Sequence, residues 1–326
     1  MDINLDIQDN NEAPKKINKK QIDENPNNQT TQLADLDIHE ISKAFTAFKV
    51  DNRHVVIPIG FPQAGKSLLL SSLMNYAQNC PNSIFKITNE SKKPFKNGQL
   101  VFSQMIEKFK GKDLYEANAK GSLDLIGINI KPEKTGYPSL NLGFLDLAGE
   151  DIKNIKTSEG GVFSDKINAI FNGLKIDNTP IIFTLITPFE PAILDGESIE
   201  DAHKRESTLH YDFLNYIEVN QPQLLKNSKF FIIVSQWDKN PNPNSSVEEY
   251  ISEFRPAIYN FVKNMNVVVW GEYSIGQLLV SKVNGVNIQE VIRENHDYPH
   301  RYWKKLYHIC TGKNLDHKTW FEKLFG

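Results

Sequence analysis

Cysteines, long apolar runs and an excess of either charge are all scarce in this chain of 326 residues. Its two cysteines, Cys80 and Cys310, are too few for a disulfide framework, which favours a reducing compartment. No segment approaches the apolar length of a membrane-spanning helix, and the N-terminus lacks the basic and apolar regions of a signal peptide. A net charge of −3 gives no strong attraction to nucleic acid or to an anionic membrane. We therefore expect a cytoplasmic protein with neither a membrane span nor a nucleic-acid partner.

The motifs of two common hydrolase classes are missing as well. The eight histidines show no metal-binding spacing such as His-Glu-x-x-His, and no Gly-x-Ser-x-Gly nucleophile motif occurs. Four of the histidines, His296, His300, His308 and His317, crowd the C-terminal region, where solvated or capping roles are favoured over a metal site. The sequence therefore predicts neither a histidine-bound metal nor a serine nucleophile.

A phosphate-binding motif is present near the start of the chain. Residues 60–67 read GFPQAGKS, which has the form G-x-x-x-x-G-K-S of the P-loop. The apolar, β-branched run 54–59 precedes the motif, and good helix formers from residue 67 to residue 77 follow it. A strand, a glycine loop and a helix are the context that this motif requires. We therefore predict a phosphate site here.

The residue types of the motif explain its chemistry. Gly60 and Gly65 let the backbone turn its N–H groups inward, where the positive end of the new helix also attracts phosphate. Lys66 can reach the β- and γ-phosphates, and the hydroxyl of Ser67 can bind Mg²⁺. Three further residues in or next to the loop complete the predicted nucleotide contacts, namely Gln63, Ala64 and Leu68.

The organisation of the chain indicates one main domain. Residues 1–36 are polar and show no apolar period, so we expect a disordered tail. Residues 37–326 should form a P-loop domain with an insertion at about 81–122 and a C-terminal helical extension. Strands alternate with helices along it, which predicts the three-layer α/β/α P-loop NTPase fold. We expect a mostly parallel sheet of six strands, with one antiparallel strand at its edge.

This prediction depends on six predicted strands and six main predicted helices. The predicted strands are 54–59, 123–130, 140–145, 180–187, 230–234 and 267–270. The main predicted helices are 67–77, 99–109, 165–174, 199–217, 246–263 and 300–310.

Polar residues follow three of these strands, at the edge where ligands of parallel sheets bind. Asp146 can hold a magnesium ion, although capping of the next turn is an alternative role. Gly149 could donate its N–H to a terminal phosphate. The carboxylate of Asp238 can accept hydrogen bonds from N1–H and the exocyclic amine of guanine, whereas adenine presents an acceptor at N1. After the last strand, a backbone N–H near Ser274 and Ile275 can meet the guanine O6.

The order of these motifs resembles that of the Ras-like P-loop GTPases over roughly residues 50–312. The family signatures look like residues 60–67, 146–149, 235–238 and 273–276 of this chain. The resemblance implies a guanine nucleotide (GTP or GDP) as ligand and Mg²⁺ as cofactor. More narrowly, the segments Asp-Leu-Ala-Gly-Glu, Ser-Gln-Trp-Asp and Tyr-Ser-Ile-Gly resemble bacterial double-GTPase-type proteins of conflict and effector systems.

Several positions depart from the family pattern. Ser235 and Gln236 stand where the family has Asn and Lys, so guanine specificity would depend mostly on Asp238. Glu150 stands where Ras-like members have a water-orienting Gln; a carboxylate there could polarise water but also repels a γ-phosphate. No clear switch Thr precedes the second strand of the family pattern. Ser122 is the best candidate for that catalytic and magnesium-binding position.

Three functions remain open on the sequence alone. The first is a GTP-binding, slowly hydrolysing switch, in which Lys66, Glu150 and Ser122 are the candidate catalytic residues. The second is a pseudo-GTPase that holds nucleotide without hydrolysing it, as Glu150 and the missing Thr suggest. The third is an ATPase or a small-molecule kinase, because the base motif is degenerate. A protein partner would bind the switch loops 82–122 and 148–161, the N-terminal tail or the C-terminal helix.

Overall fold

The structure is a computed structural model, and it describes only part of the chain. The described residues are 37–46, 52–61, 64–90, 96–110, 123–147, 152, 155, 163–176, 179–242, 244–283 and 286–315. The predicted tail, residues 91–95 and 111–122 of the first predicted switch loop, most of the second and the C-terminal segment 316–326 lie outside them.

Nine helices and nine strands are found in the described ranges. The strands are β1 His54–Ile59, β2 Phe85–Asn89, β3 Leu123–Pro132, β4 Leu140–Leu147, β5 Ile181–Pro188, β6 Ser228–Ser235, β7 Val268–Glu272, β8 Gly276–Val283 and β9 Val286–Glu294. The helices are α1 Ile38–Thr46, α2 Lys66–Asn79, α3 Lys96–Lys110, α4 Asp165–Ile176, α5 Ile199–Asn220, α6 Pro222–Lys226, α7 Val247–Phe254, α8 Pro256–Val262 and α9 Asp297–Thr311. A 3₁₀ turn, Trp237–Lys239, follows β6.

Seven strands form the main sheet, in the order β2-β3-β4-β1-β5-β6-β7. The five strands from β4 to β7 in this order run parallel, whereas β3 is antiparallel to both of its neighbours. The predicted α/β class with a mostly parallel sheet is therefore confirmed. The predicted count of six and the antiparallel edge were wrong, because β2 adds a strand outside β3. The side chains of β2 alternate between buried and exposed, as expected of a strand at an edge.

Two further predictions need correction. The single helix predicted over 246–263 is divided into α7 and α8 at Arg255, where the backbone leaves the helical region (φ −137°, ψ 50°). Pro256 explains the break, since it has no N–H to donate and restricts the residue before it. Between the last predicted strand, 267–270, and the last predicted helix, 300–310, no element was predicted, but a two-stranded antiparallel hairpin of β8 and β9 is found there.

The core lies in two layers, one on each face of the sheet. In β1, Val55, Ile57 and Ile59 pack with α1, α4, α5, α7 and α8, whereas Val56 packs with α2, α3 and α9. Strand geometry explains the division, because successive side chains point to opposite faces. Among the described helices, none combines the length and apolar character that crossing a membrane requires.

Helix α9 closes the second layer. Trp303 is fully buried, and its Nε1 donates a hydrogen bond of 3.2 Å to the carbonyl oxygen of Leu73 in α2. Lys305 of the same helix donates to the carboxylate of Glu272 in β7 at 3.0 Å. These contacts fix α9 between the P-loop helix and the last strand of the sheet.

Candidate functional site

The described site residues come together at one edge of the sheet. The P-loop follows β1, Asp146 lies near the end of β4, the 3₁₀ turn with Asp238 follows β6, and Ser274 follows β7. Because these strands are parallel, their carboxyl ends all lie at this edge. Gln63, Ser122, Gly149 and Glu150 lie outside the described residues, so their predicted roles stay predictions.

Two glycines shape the backbone of the P-loop. Gly65 is the N-cap of α2 and has a left-handed backbone (φ +85°), and no side chain caps the helix. A Cβ at Gly60 would lie 2.6 Å from the carbonyl oxygen of Ile186 in β5, which is closer than a real Cβ approaches. The loop therefore needs glycine at both positions, and the amino end of α2 presents its N–H groups without a side-chain acceptor.

The side chain of Lys66 lies across the P-loop. It is only 7% exposed, and Nζ donates hydrogen bonds to the carbonyl oxygens of Gly60 (2.9 Å) and Phe61 (3.3 Å). Ala64 is buried in the loop, and Leu68 lies in the first turn of α2. The ammonium group is thus held against the backbone of the P-loop by two carbonyl oxygens.

Two side-chain oxygen atoms that could bind a metal ion lie close together beside the P-loop. The hydroxyl of Ser67 lies 3.4 Å from Oδ2 of Asp146, which is 1% exposed. A second hydroxyl, that of Ser71, donates to the carbonyl oxygen of Ser67 at 2.7 Å and fixes this turn of α2. A hydroxyl and a carboxylate are hard ligands of the kind that Mg²⁺ prefers, so this pair fits a magnesium ion.

The loop after β6 is joined to the P-loop and to β7. The hydroxyl of Ser235 donates to the carbonyl oxygen of Ala64 at 3.2 Å, and the N–H of Trp237 donates to that of Tyr273 at 3.1 Å. Gln236 has a left-handed backbone (φ +59°), and its buried Oε1 has no hydrogen-bond partner among the described residues. An orphaned buried acceptor is costly, so this loop is suited to receive a ligand that carries a donor.

A cleft of about 540 Å³ opens beside Asp238. It is lined by Asp238, Ser274, Gly276, Arg293, Glu294, Asn295, His296 and Asp297. The hairpin closes one wall of it because Gly276 (φ +109°) lets β8 approach β9, where a Cβ would lie 2.0 Å from the carbonyl oxygen of Arg293. Ile275 accepts a hydrogen bond of 3.3 Å from the N–H of Asn295. The size of the cleft is that of a small-molecule site.

The segment 293–297 was missed by the sequence analysis. Its residues come from the end of β9 and the start of α9, and the hairpin that delivers them was not predicted. The signal that could have found the hairpin is the alternation of apolar and polar residues in Val286-Asn-Ile-Gln, followed by the β-branched pair Val291-Ile292.

A buried group of charged side chains lies beneath the P-loop and was also missed. Glu206 of α5 is 3% exposed, and burial raises the pKa of its carboxyl to about 7 against the attraction of Arg255, Arg205 and Lys66. Nδ1 of His210 lies 2.9 Å from the carbonyl oxygen of Glu206, and burial lowers the pKa of this histidine to about 4. The sequence pattern predicts the helix 199–217, but it does not show which of the charged side chains on that helix are buried.

Arg205 is held against the P-loop. Its Nε lies 2.8 Å from the carboxylate of Glu197, and its guanidinium stands over the ring of Phe61, 4.7 Å from the ring centre. This stacking joins α5 to the second residue of the P-loop. The guanidinium of Arg205 is therefore engaged in an ion pair and a stacking contact.

Replacing Glu206 by Gln should change how stability depends on pH. The folded-state pKa of about 7 lies above the ordinary value of 4.5, so the stability that the proton contributes is present below pH 4.5 and lost as pH rises through 7. His203 and His210, with pKa values lowered to about 4, act in the opposite sense but are common to both proteins.

Urea unfolding of the native protein and of Glu206→Gln at pH 5, 6, 7 and 8 tests this expectation. The difference in unfolding free energy should move in favour of the variant as pH rises, by on the order of 2–3 kcal/mol over the range. Glu218→Gln, at an exposed carboxyl on the same helix, is the matched control and should show no such trend. A difference for Glu206→Gln that stays constant with pH would contradict the assignment.

Comparisons with known proteins give fold likeness only. Nucleolar GTP-binding protein 1 of Plasmodium falciparum shows 14% identity over 68% of this chain and 77% of its own, with a TM-score of 0.32. The Ski7 GTPase-like domain of S. cerevisiae, bound to GTP, shows 15% identity over 86% of this chain and 54% of its own, with a TM-score of 0.37. This chain thus spans about half the length of the second structure. No model of a protein family and no curated protein sequence matches the chain. These likenesses are too weak to argue from, so function must be inferred from the site.

Proposed function

We propose that this protein binds GTP and GDP together with Mg²⁺ and hydrolyses GTP slowly, as a nucleotide-dependent switch. The observation that carries the proposal is the meeting of the P-loop, Asp146 and Asp238 at one sheet edge. The 3.2 Å bond from Ser235 to Ala64 joins the phosphate end of this site directly to the base end.

The phosphate end is supported by the P-loop geometry. The uncapped N–H groups of α2 and of the loop would bind the phosphates, and Lys66 would exchange its two carbonyl acceptors for the β- and γ-phosphates. Ser67 and Asp146 would hold Mg²⁺, which when bound offsets phosphate charge. The switch itself would involve Gly149, Glu150 and Ser122, whose roles are inferred from the resemblance alone.

The base end is supported by the cleft beside Asp238. Its carboxylate would accept hydrogen bonds from N1–H and the exocyclic amine of guanine, and a backbone N–H near Ser274 or Ile275 would donate to O6. The buried Oε1 of Gln236, which has no hydrogen-bond partner among the described residues, would then accept a hydrogen bond from a donor of the nucleotide. Membership of the bacterial double-GTPase type would place the protein in a conflict or effector system, with a protein partner at the switch loops, the N-terminal tail or the C-terminal helix.

Equilibrium binding of fluorescent GDP tests the proposal. We expect GTP and unlabelled GDP to displace the probe, ATP to compete poorly, and EDTA to weaken GTP binding. XTP serves as a second competitor, because it differs from GTP only at the 2-position that Asp238 is proposed to read. Equal competition by ATP would leave a P-loop ATPase or kinase, and failure to bind either guanine nucleotide would refute the proposal.

A pseudo-GTPase is the second candidate, since Glu150 replaces the water-orienting Gln of the family. Single-turnover hydrolysis of GTP with Mg²⁺ distinguishes the two. Measurable turnover that is lost in Lys66→Ala and kept in Lys226→Ala, at an exposed lysine remote from the P-loop in sequence, would exclude the pseudo-GTPase. Binding without turnover would favour it.

A further inference from the structure

Three side chains from distant parts of the chain are aligned beside the cleft. Cys80 is the C-cap of α2, Glu294 ends β9, and His296 is the N-cap of α9. The sulfur of Cys80 lies 3.6 Å from Nδ1 of His296, and Nε2 of the same ring lies 3.0 Å from Oε2 of Glu294. A thiol, an imidazole and a carboxylate thus follow one another at hydrogen-bonding distance.

The carboxylate fixes the chemistry of the ring. Because Nε2 faces the carboxylate of Glu294, that nitrogen carries the hydrogen, and Nδ1 is left as the acceptor that faces the thiol. Glu294 is itself positioned by Asn75, whose Nδ2 donates to Oε2 at 3.1 Å. Nucleophile, base and orienting group in this order are the arrangement in which a cysteine is activated.

The thiol of Cys80 is accessible to solvent, and the neighbouring phenol of Tyr76 places no negative charge beside the imidazole of His296. Cys80 is partly exposed, and His296 is exposed. Burial raises the pKa of the neighbouring Tyr76 to about 12, so this phenol adds no negative charge at neutral pH. Asp297 and His300 are two further titratable groups near Tyr76; Nδ1 of His300 lies 2.7 Å from the Tyr76 hydroxyl.

The second cysteine of the chain provides a contrast. Cys310 lies near the end of α9, and burial raises the pKa of its thiol to about 12 despite the nearby Lys229. It is therefore protonated and a poor nucleophile at neutral pH. The two cysteines form an internal comparison, one whose thiol faces an imidazole and one whose thiol is kept protonated by burial.

We infer that Cys80 is a reactive thiol that undergoes thiol–disulfide exchange with small disulfides, with His296 as its base and Glu294 as a positioning residue. The Cys80 sulfur attacks one sulfur of the disulfide as Nδ1 of His296 takes its proton. A new S–S bond to Cys80 forms and the S–S bond of the reagent breaks. The departing thiolate takes up the proton from the imidazole, so electrons and protons balance and the disulfide itself is the oxidant.

The rate of reaction of the full chain with 2,2′-dipyridyl disulfide, without nucleotide at pH 7, is the direct test. We expect one fast thiol per chain, reacting at least about 10-fold faster than free glutathione, since nearly all of the latter is protonated at this pH. The fast phase should be absent in Cys80→Ser and unchanged in Cys310→Ser. A Cys80 that reacts no faster than glutathione would overturn the inference.

Variants of the other two residues separate chemistry from structure. His296→Gln should slow the exchange about 10-fold or more, and it should fold normally, since the side chain of His296 does not cap α9. Glu294→Gln should also slow it, with partial recovery in Glu294→Asp, a rescue that a merely structural role would not give. His308→Gln, at an exposed histidine of α9, is the matched control. An unchanged rate in His296→Gln would remove the histidine from the site.

One consequence rests on the proposed function. Glu294 and His296 also line the cleft beside Asp238, so a glutathionyl group on Cys80 should lower the affinity for GDP. We expect glutathionylation to lower the affinity for GDP at least several-fold and dithiothreitol to restore it. In Cys80→Ser, the same glutathionylating conditions should leave the affinity for GDP unchanged. If the protein binds no GDP at all, the proposed function fails, whereas the exchange rate still decides whether the thiol is reactive.

Discussion

Asp238→Asn should lower the affinity for GTP by about 100-fold or more and raise the affinity for XTP. The carboxylate is proposed to accept two hydrogen bonds from guanine, each worth about 1.5–3 kcal/mol when one partner is charged. In the variant an amide N–H meets the donor edge of guanine, whereas the 2-oxo group of xanthine can accept from it. The loss therefore comes with a reversal of preference, which a general loss of folding would not produce.

Competition of GTP and XTP against fluorescent GDP or XDP measures this reversal. Asp195→Asn makes the same chemical change in an exposed turn before α5 and should leave both affinities unchanged. An unaltered GTP affinity in Asp238→Asn would remove this residue from the base site. The cleft and the P-loop would then have to be assigned to separate ligands.

Arg255→Met should lower the free energy of unfolding by about 3–5 kcal/mol, because it leaves a buried ion network without its main cation. Arg255 is fully buried, and Nε donates to the hydroxyl of Thr187 at 3.1 Å. Its terminal nitrogens donate to the carbonyl oxygen of Phe254 (2.9 Å) and to Nδ1 of His203. Met fills a similar volume but satisfies none of these acceptors.

The pH dependence of this loss identifies its cause. Glu206, attracted by Arg255 in the native protein, can take up a proton below pH 7, so the destabilisation should be larger at pH 8 than at pH 6. Arg301→Met is the matched control, since Arg301 is 44% exposed and pairs with Glu272 at the surface, where such pairs contribute about 0–1 kcal/mol. If urea unfolding gave the same loss of unfolding free energy for both variants, the buried network would stabilise the protein no more than a surface ion pair does.

The sequence predicted those parts of the fold that depend on neighbouring residues. The run 54–59 became β1, and the glycine at position 65 follows from its own left-handed backbone conformation. Asp146 and Asp238 could be placed at strand ends because parallel strands bring their carboxyl ends together. That both residues lie at the same edge of the sheet therefore follows from the parallel strands, which the pattern of apolar residues already predicts.

The missed features depend on contacts between distant residues. The strand β2 is short and half exposed, so its pattern is weak until β3 is there to pair with it. Whether Glu206 is a surface charge or a buried carboxyl depends on Arg255, 49 positions away, and nothing in the local pattern distinguishes the two. The relation between Cys80 and His296 is of the same kind, since 216 positions separate them.

The hydrogen bond between Trp303 and Leu73 also bears on the order in which parts of the protein can fold while the chain is being synthesised. It joins residues 230 positions apart, and the apolar face of α2 that meets α9 has no cover until α9 has been made. A nascent chain would therefore display the P-loop helix with one face open to water while most of the sheet is already in place. Such a chain would offer a hydrophobic surface to chaperones during translation, and nucleotide binding should become efficient only after α9 has docked.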